Sequence, residues 1–173
     1  MVVMKRALSD PSATVRAEAV PLFKLGSIAG RLPLDSGTLR EAQRFSAQFF
    51  KSQAAIEFSG DDVETFKTPD WAPKTWLPLK EAKALGFAPR AVRTSPVELV
   101  ATCGVDLHVD NINGLTACLV LHNDALQFKQ GRVLHTPEAG DWFIFDDDRA
   151  HRVRSAPGEA VFLGLVLPLV KLA

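Results

Sequence analysis

The chain of 173 residues has only two cysteines, no surplus of charge, and no apolar run approaching the ~20 residues that a bilayer-spanning helix needs. Cys103 and Cys118 both fall in expected core strands, which makes them buried free thiols rather than a disulfide or a metal pair. With 20 basic and 20 acidic residues the net charge is zero. That argues against duplex nucleic acid as a dominant partner, although a local patch can persist inside a neutral total. The missing apolar run argues against a membrane partner. The opening Met1-Val2-Val3-Met4-Lys5-Arg6 lacks the charged-then-apolar order of a secretory signal, so the expected location is the cytoplasm. Nor is there a calcium loop: Asp146-Asp147-Asp148 is a run of adjacent carboxylates pointing in different directions, without the Asp-x-Asp-x-Asp-Gly pattern, and reads as a solvated turn.

What the chain does have is enough apolar content, 47% of its residues, for a proper core. The expectation is one domain over 1–173, with a helical and loop part over 1–90 and a β core over 91–170. Apolar segments of strand length follow one another: Arg93 to Cys103, Leu115 to Leu121, Leu126 to Lys129, Arg132 to His135, Trp142 to Phe145, the stretch reaching His151-Arg152-Val153, and Ala160 to Leu167. Turn signals such as Asn113-Gly114, Gln130-Gly131 and Pro137 to Asp141 separate them, and Pro96 marks an edge or a bulge. Many short strands spaced in this way indicate an antiparallel sandwich or barrel.

Before residue 90 the clearest element is a helix capped by Asp35 or Ser36 and running to about Ala55. Leu39, Ala42, Phe45, Phe49 and Phe50 form its apolar stripe, which is expected to pack on the outer face of the sheet. Asp10 to Val20 resembles one helix of a HEAT-type repeat, but no second copy follows and Pro21 would end or kink it. Ser59 to Pro78 is turn-rich and carries Trp71 and Trp76. It is either a lid or binding loop, or a structured loop whose indoles plug the edge of the core. Leu79 to Leu85 is a short helix in this reading, stopped by Gly86.

The chemistry lies in His108-Val109-Asp110 together with His151. Two imidazoles and one carboxylate can hold Fe(II) on one face and leave the opposite positions open for oxygen and substrate. On a β-strand, side chains at i and i+2 point the same way, so His108 and Asp110 reach a shared metal while Val109 packs on the other face. The third ligand has to come from a strand brought close by the fold, and His151 sits where such a strand is expected. Alone, His-x-Asp is more often a surface strand or an N-cap than a metal site. The succession of strands around it gives it weight. His122 and His135 read either as substrate-facing residues or as solvated loop histidines.

From Val97 to Leu167 the chain resembles the double-stranded β-helix (jelly-roll) core of the Fe(II)- and 2-oxoglutarate-dependent oxygenases, most closely the prolyl-hydroxylase-like members. The matching pieces are His108-Val109-Asp110, Leu115-Thr116 opening a hydrophobic strand, Pro137-Glu138-Ala139-Gly140-Asp141 before Phe143-Ile144-Phe145, and His151-Arg152-Val153. They cover less than half of the chain and occur in the family's order. The resemblance implies an α+β, mainly β fold: a jelly roll with N-terminal helices on the outer face of the sheet. It also implies His108, Asp110 and His151 as iron ligands, 2-oxoglutarate as cosubstrate, and hydroxylation of a small-molecule or protein substrate.

One departure stands out. The family usually holds the distal carboxylate of 2-oxoglutarate with an Arg or Lys opening the strand after the distal histidine, where this chain reads Pro157-Gly158-Glu159-Ala160-Val161-Phe162. The substitute cations are Arg132 and Arg154, then Arg149, with Arg152 and Lys129 also in the neighbourhood. Two alternatives therefore accompany the dioxygenase. One is a cupin-like metal-binding protein, since Pro137 through His151 also fits that superfamily's second motif, although cupins usually carry His-x-His in the first. The other is a non-catalytic jelly-roll binding module that has lost cosubstrate binding.

Overall fold

The computed structural model describes residues 24–55, 63–74, 83, 86–89, 97–110, 114–154 and 160–171. Its elements run β1 (Ile28–Arg31), α1 (Ser36–Ala55), β2 (Glu64–Lys67), β3 (Phe87–Pro89), β4 (Glu98–Thr102), β5 (Val105–His108), β6 (Leu115–Asn123), β7 (Gln127–Gln130), β8 (Val133–His135), β9 (Asp141–Asp146), β10 (His151–Arg154) and β11 (Phe162–Lys171).

The strands form two antiparallel sheets. The larger has the order β1-β9-β6-β11-β4-β2, with β3 also pairing β11, and the smaller has the order β5-β10-β7-β8. From β4 onward the chain passes back and forth between the sheets, so β4-β11-β6-β9 faces β5-β10-β7-β8. That is the strand order of a double-stranded β-helix, and the described residues are mainly β, with α1 outside the two sheets.

Residue alternation explains why both faces of the large sheet are apolar. On β6, Ala117, Leu119 and Leu121 point outward, and on β11 so do Leu163, Leu165 and Leu167; with Ala42 and Phe49 of α1 they make one core. The intervening Cys118, Val120 and Phe162 point between the sheets and meet Phe128, Phe143 and Val153 in a second core. A strand buried on both sides reads as an unbroken apolar run, as Ala117 to Leu121 does. Cys103 and Cys118 are both free thiols, and burial pushes the Cys118 thiol upward.

Asp35 is the helix cap: its Oδ1 accepts from the backbone N–H of Gly37 at 2.8 Å and of Thr38 at 2.9 Å. Ala42 and Phe49 are buried and Phe45 and Phe50 partly so, but Leu39 is 40% exposed and falls off the expected stripe. Phe45 and Phe49 pack edge-on against Phe66 of β2, with ring centroids 5.2 and 6.1 Å away. Trp71 adjoins Phe45 at 6.4 Å and its carbonyl accepts from Thr38 Oγ1, so this indole seals the edge of the outer core.

The N-terminal part, expected as helix and loop, also contributes β1, β2 and β3. They are three or four residues long, too short for alternation to show in the sequence. The segment Asp10 to Val20, Trp76, Arg93 to Pro96 and all of Leu79 to Leu85 except Lys83 lie outside the described residues. No helix among the described residues is long and apolar enough to cross a membrane.

Gly140 closes the loop into β9 at φ +94°, where an added Cβ would sit 2.5 Å from the carbonyl oxygen of Leu32. Its N–H donates to Val120 and its carbonyl accepts from Leu32, both at 2.8 Å, so the obstructing group is fixed backbone. Gly140→Ala is expected to lower stability by roughly 1–3 kcal/mol, read by chemical denaturation. A neutral result would mean that this loop relaxes freely.

Candidate metal centre

β5 ends at His108, and β10 begins at His151 directly opposite it in antiparallel register. That pairing alone places the two imidazoles side by side, with ring centroids 4.3 Å apart. Asp110 lies two residues past the strand, so Val109 is 39% exposed rather than packed underneath. Asp110 is held instead by its backbone N–H, which donates to the carbonyl of Asp147 at 3.0 Å. Its carboxylate then reaches both rings: Oδ1 is 3.4 Å from His108 Nε2 and Oδ2 is 3.4 Å from His151 Nε2.

The outer nitrogens fix the tautomers. His108 Nδ1 contacts the Asp106 carbonyl at 2.7 Å and His151 Nδ1 the Arg149 carbonyl at 3.0 Å. A carbonyl only accepts, so each Nδ1 carries a proton, and in the neutral ring the lone pair is then on Nε2. Burial lowers the pKa of His151, keeping that ring neutral. With Nδ1 engaged on each ring, Nε2 is the atom that each imidazole turns toward the Asp110 carboxylate. Metal–ligand bonds of ~2.0–2.2 Å allow donors at such spacing to share one divalent ion. The three donor atoms all lie within 4.8 Å of one another. The residues fit a metal, and the backbone carbonyls on Nδ1 are the supports a metal-binding histidine requires.

The triad lines a cavity of about 430 Å³ between the sheets. Its walls include Val100, Val105, Phe128, Phe143, Phe145 and Phe162, with acids at Glu98, Asp110 and Asp147 and no Lys or Arg among the described lining residues. Arg132 is exposed in the β7–β8 turn, Arg149 is exposed with Nε 3.5 Å from Asp146, and Arg154 pairs with Asp106 at the surface. Arg152 and Lys129 pair across β10 and β7 on the side away from His151, Val153 and Phe128. The structure therefore brings His108, Asp110 and His151 together and leaves all five cations outside the described cavity wall. By register one further base, Lys67, shares Thr65's side of β2, opposite Glu98. It lies well before the region that carried the sequence motifs.

Asp147 corrects the expectation of a solvated acidic turn. It is 2% exposed, with Thr116 Oγ1 donating to its Oδ2 and its own N–H donating to Gly114. Burial pushes its pKa up to about 7 against the Thr116 bond, with Asp110, Asp146 and Asp148 adding to the rise. Thr116, a polar residue opening an apolar strand, was the available signal. His122 pairs with Asp124 at 2.9 Å, and His135 contacts the Gly26 carbonyl at 2.6 Å; neither lines this cavity.

The raised pKa has a consequence for stability. Asp147 holds a proton in the folded chain where the unfolded chain has lost it, so its contribution is full below about pH 3.8 and is lost as pH rises through about 7. His151, lowered from 6.5, acts in the opposite sense, costing stability as pH falls through its folded value. In chelator-treated protein Asp147→Asn is therefore expected to reduce the fall in Tm between about pH 5 and pH 8. An unchanged slope in thermal melts would show that Asp147 is ionised throughout.

No protein-family model and no curated protein matches the sequence. Solved structures do resemble the fold. AviO1 from Streptomyces viridochromogenes Tue57 superposes with a TM-score of 0.52 at 14% identity, over 85% of this chain and 90% of that one. EvdMO1 superposes at 0.50 and 17% identity over 84% of this chain. The match covers 47% of EvdMO1, so the chain spans about half of that protein's length. A cupin-2 domain containing protein from Shewanella frigidimarina NCIMB 400 gives a TM-score of 0.32 at 13% identity, over 53% of this chain and 93% of that one. The shared feature is the jelly roll. At these identities the likeness is one of fold.

Proposed function

We propose that this chain is a cupin-like, mononuclear metal-dependent enzyme whose ion is held by His108, Asp110 and His151. The observation that carries the reading is the convergence of two imidazole Nε2 atoms and a carboxylate at the wall of an apolar cavity, each histidine fixed through Nδ1 by a backbone carbonyl. Two imidazoles and one carboxylate suit Fe(II), which would supply open positions for dioxygen or substrate. The chain's own part is positional. Phe128, Phe143, Phe145 and Phe162 line the cavity, exclude water and favour an apolar substrate body. The Asp147 carbonyl keeps Asp110 between the rings through its backbone bond.

The second reading is the 2-oxoglutarate-dependent dioxygenase hydroxylating a small-molecule or protein substrate. The specific observation in its favour is Lys67, a base on the cavity side of its strand that can meet a distal carboxylate. Arg132, Arg154 and Arg149 would have to turn inward to serve instead. Calorimetry with Mn(II) in place of Fe(II) separates the readings. The first predicts one Mn(II) per chain and no 2-oxoglutarate binding. The second predicts Mn(II)-dependent 2-oxoglutarate binding that weakens by at least about tenfold in Lys67→Ala, as expected when a charge-assisted bond is lost. Absence of Mn(II) binding would refute both and leave a non-catalytic jelly-roll module.

A further inference from the structure

His151 has a strand partner on each side. One is His108 of β5, and the other, in register on β7, is Gln130. In the sequence Gln130-Gly131 reads only as a turn, yet Gln130 ends its strand with its side chain buried, 6% exposed. A buried primary amide has an acceptor and two donors to satisfy inside the protein. Gln130 spends all of its bonds on the turn between β9 and β10. Its Oε1 accepts from the backbone N–H of Asp146 at 3.0 Å. Its Nε2 donates to the carbonyl of Asp146 at 2.7 Å and to that of Arg149 at 3.3 Å. The partners fix which way the amide points, because a backbone N–H only donates and a carbonyl only accepts.

The gripped turn carries the supports of two of the three metal donors. The Arg149 carbonyl accepts from His151 Nδ1 at 3.0 Å, and the Asp147 carbonyl accepts from the N–H of Asp110 at 3.0 Å. Gln130 holds the first residue of this turn through both its N–H and its carbonyl, and the last through its carbonyl. Few side chains would serve in its place. Glu would aim carboxylate oxygen at two carbonyls, Lys or Arg would offer Asp146 no acceptor, and Asn is one methylene too short to span the turn.

We infer that Gln130 is a positioning residue of the metal centre, its amide holding the β9–β10 turn in the shape that sets Asp110 and His151 for a shared ion. The inference rests on the metal reading and deepens it, naming the group that keeps the donors in place. Gln130 is not among the residues lining the cavity and acts through the turn. A ligand set has to be held to within about 0.5 Å, which depends on supporting bonds of this kind. Because two donors lean on the same turn, loss of the amide loosens both together.

Two variants of the full chain test it. Gln130→Met keeps the length of the side chain and removes all three bonds, while Gln130→Asn keeps an amide and withdraws it by one methylene. The readouts are Mn(II) affinity by calorimetry, Tm after chelator treatment, and the visible d–d bands of the Co(II)-saturated protein. Both variants should bind Mn(II) about 10–100-fold more weakly, the range for a lost supporting contact. Both should also shift the Co(II) bands at saturation, which a loss of stability alone would not do. Ile144→Val, a truncation on β9 in the outer core, should lower Tm and leave affinity and bands unchanged. If Gln130→Met does not fold, Gln130→Asn decides. The inference is overturned if the folded Gln130 variants keep the affinity and bands of the unaltered chain, or if Ile144→Val loses affinity in the same proportion to Tm. In those cases the unaltered chain still binds one Mn(II) and loses it in His151→Ala. Failure of that binding itself would instead overturn the metal reading and this inference with it.

Discussion

Replacing His151 with alanine is expected to weaken Co(II) or Mn(II) binding by more than about 100-fold, beyond the 10–100-fold typical of losing a mere supporting contact. The ring is 4% exposed, faces His108 in register, and presents its Nε2 lone pair 3.4 Å from Asp110. Removing it leaves one imidazole and one carboxylate, too few protein donors to compete with water. Because a buried ring also fills space, the partner variant Asp110→Ala guards against misreading a folding defect. That carboxylate is 41% exposed and contributes little packing. It should lose metal to a similar extent while retaining the Tm of the metal-free chain. If both variants bind metal as the unaltered chain does, the ion lies elsewhere.

The second large effect concerns the sheet that carries the site. Leu119 is fully buried at the centre of β6, paired with Leu165 on one side and Trp142 on the other, with its side chain in the core beneath α1. Leu119→Ala is expected to cost about 3–5 kcal/mol, at the upper end for buried leucine truncation, because strands on both sides prevent collapse of the cavity it leaves. Leu134→Ala, at a position 54% exposed, should change stability by less than about 0.5 kcal/mol. Denaturant melts of the two variants should therefore differ widely. Similar losses would place the principal core elsewhere than between α1 and the large sheet.

The elements legible in the sequence were those whose pattern persists for several residues. β6 and β11 show as unbroken apolar runs because both of their faces are covered, and α1 shows through its cap and stripe. His-x-Asp and the distal histidine were legible because strand pairing needs only register to bring them together. Side-chain direction in short elements was not legible. Arg149 would share the face of His151 if the strand extended that far back, but β10 begins at His151 and Arg149 lies in the preceding turn. Asp147 looked like its neighbours in an acidic run, yet the turn that delivers His151 rotates it inward onto Thr116. Lys67 was invisible for another reason: β2 is four residues long, and only its pairing with β4 shows which way its side chains point.

The claim on which the rest depends is that His108, Asp110 and His151 hold one divalent metal ion. X-ray absorption on the full chain loaded with one equivalent of Co(II) addresses it most directly, because imidazole rings leave a multiple-scattering signature that carboxylates and water do not. A ligand shell with two imidazoles is expected, and its loss in His151→Ala, which no longer holds the ion against water. A shell of oxygen donors alone, unchanged in that variant, would contradict it.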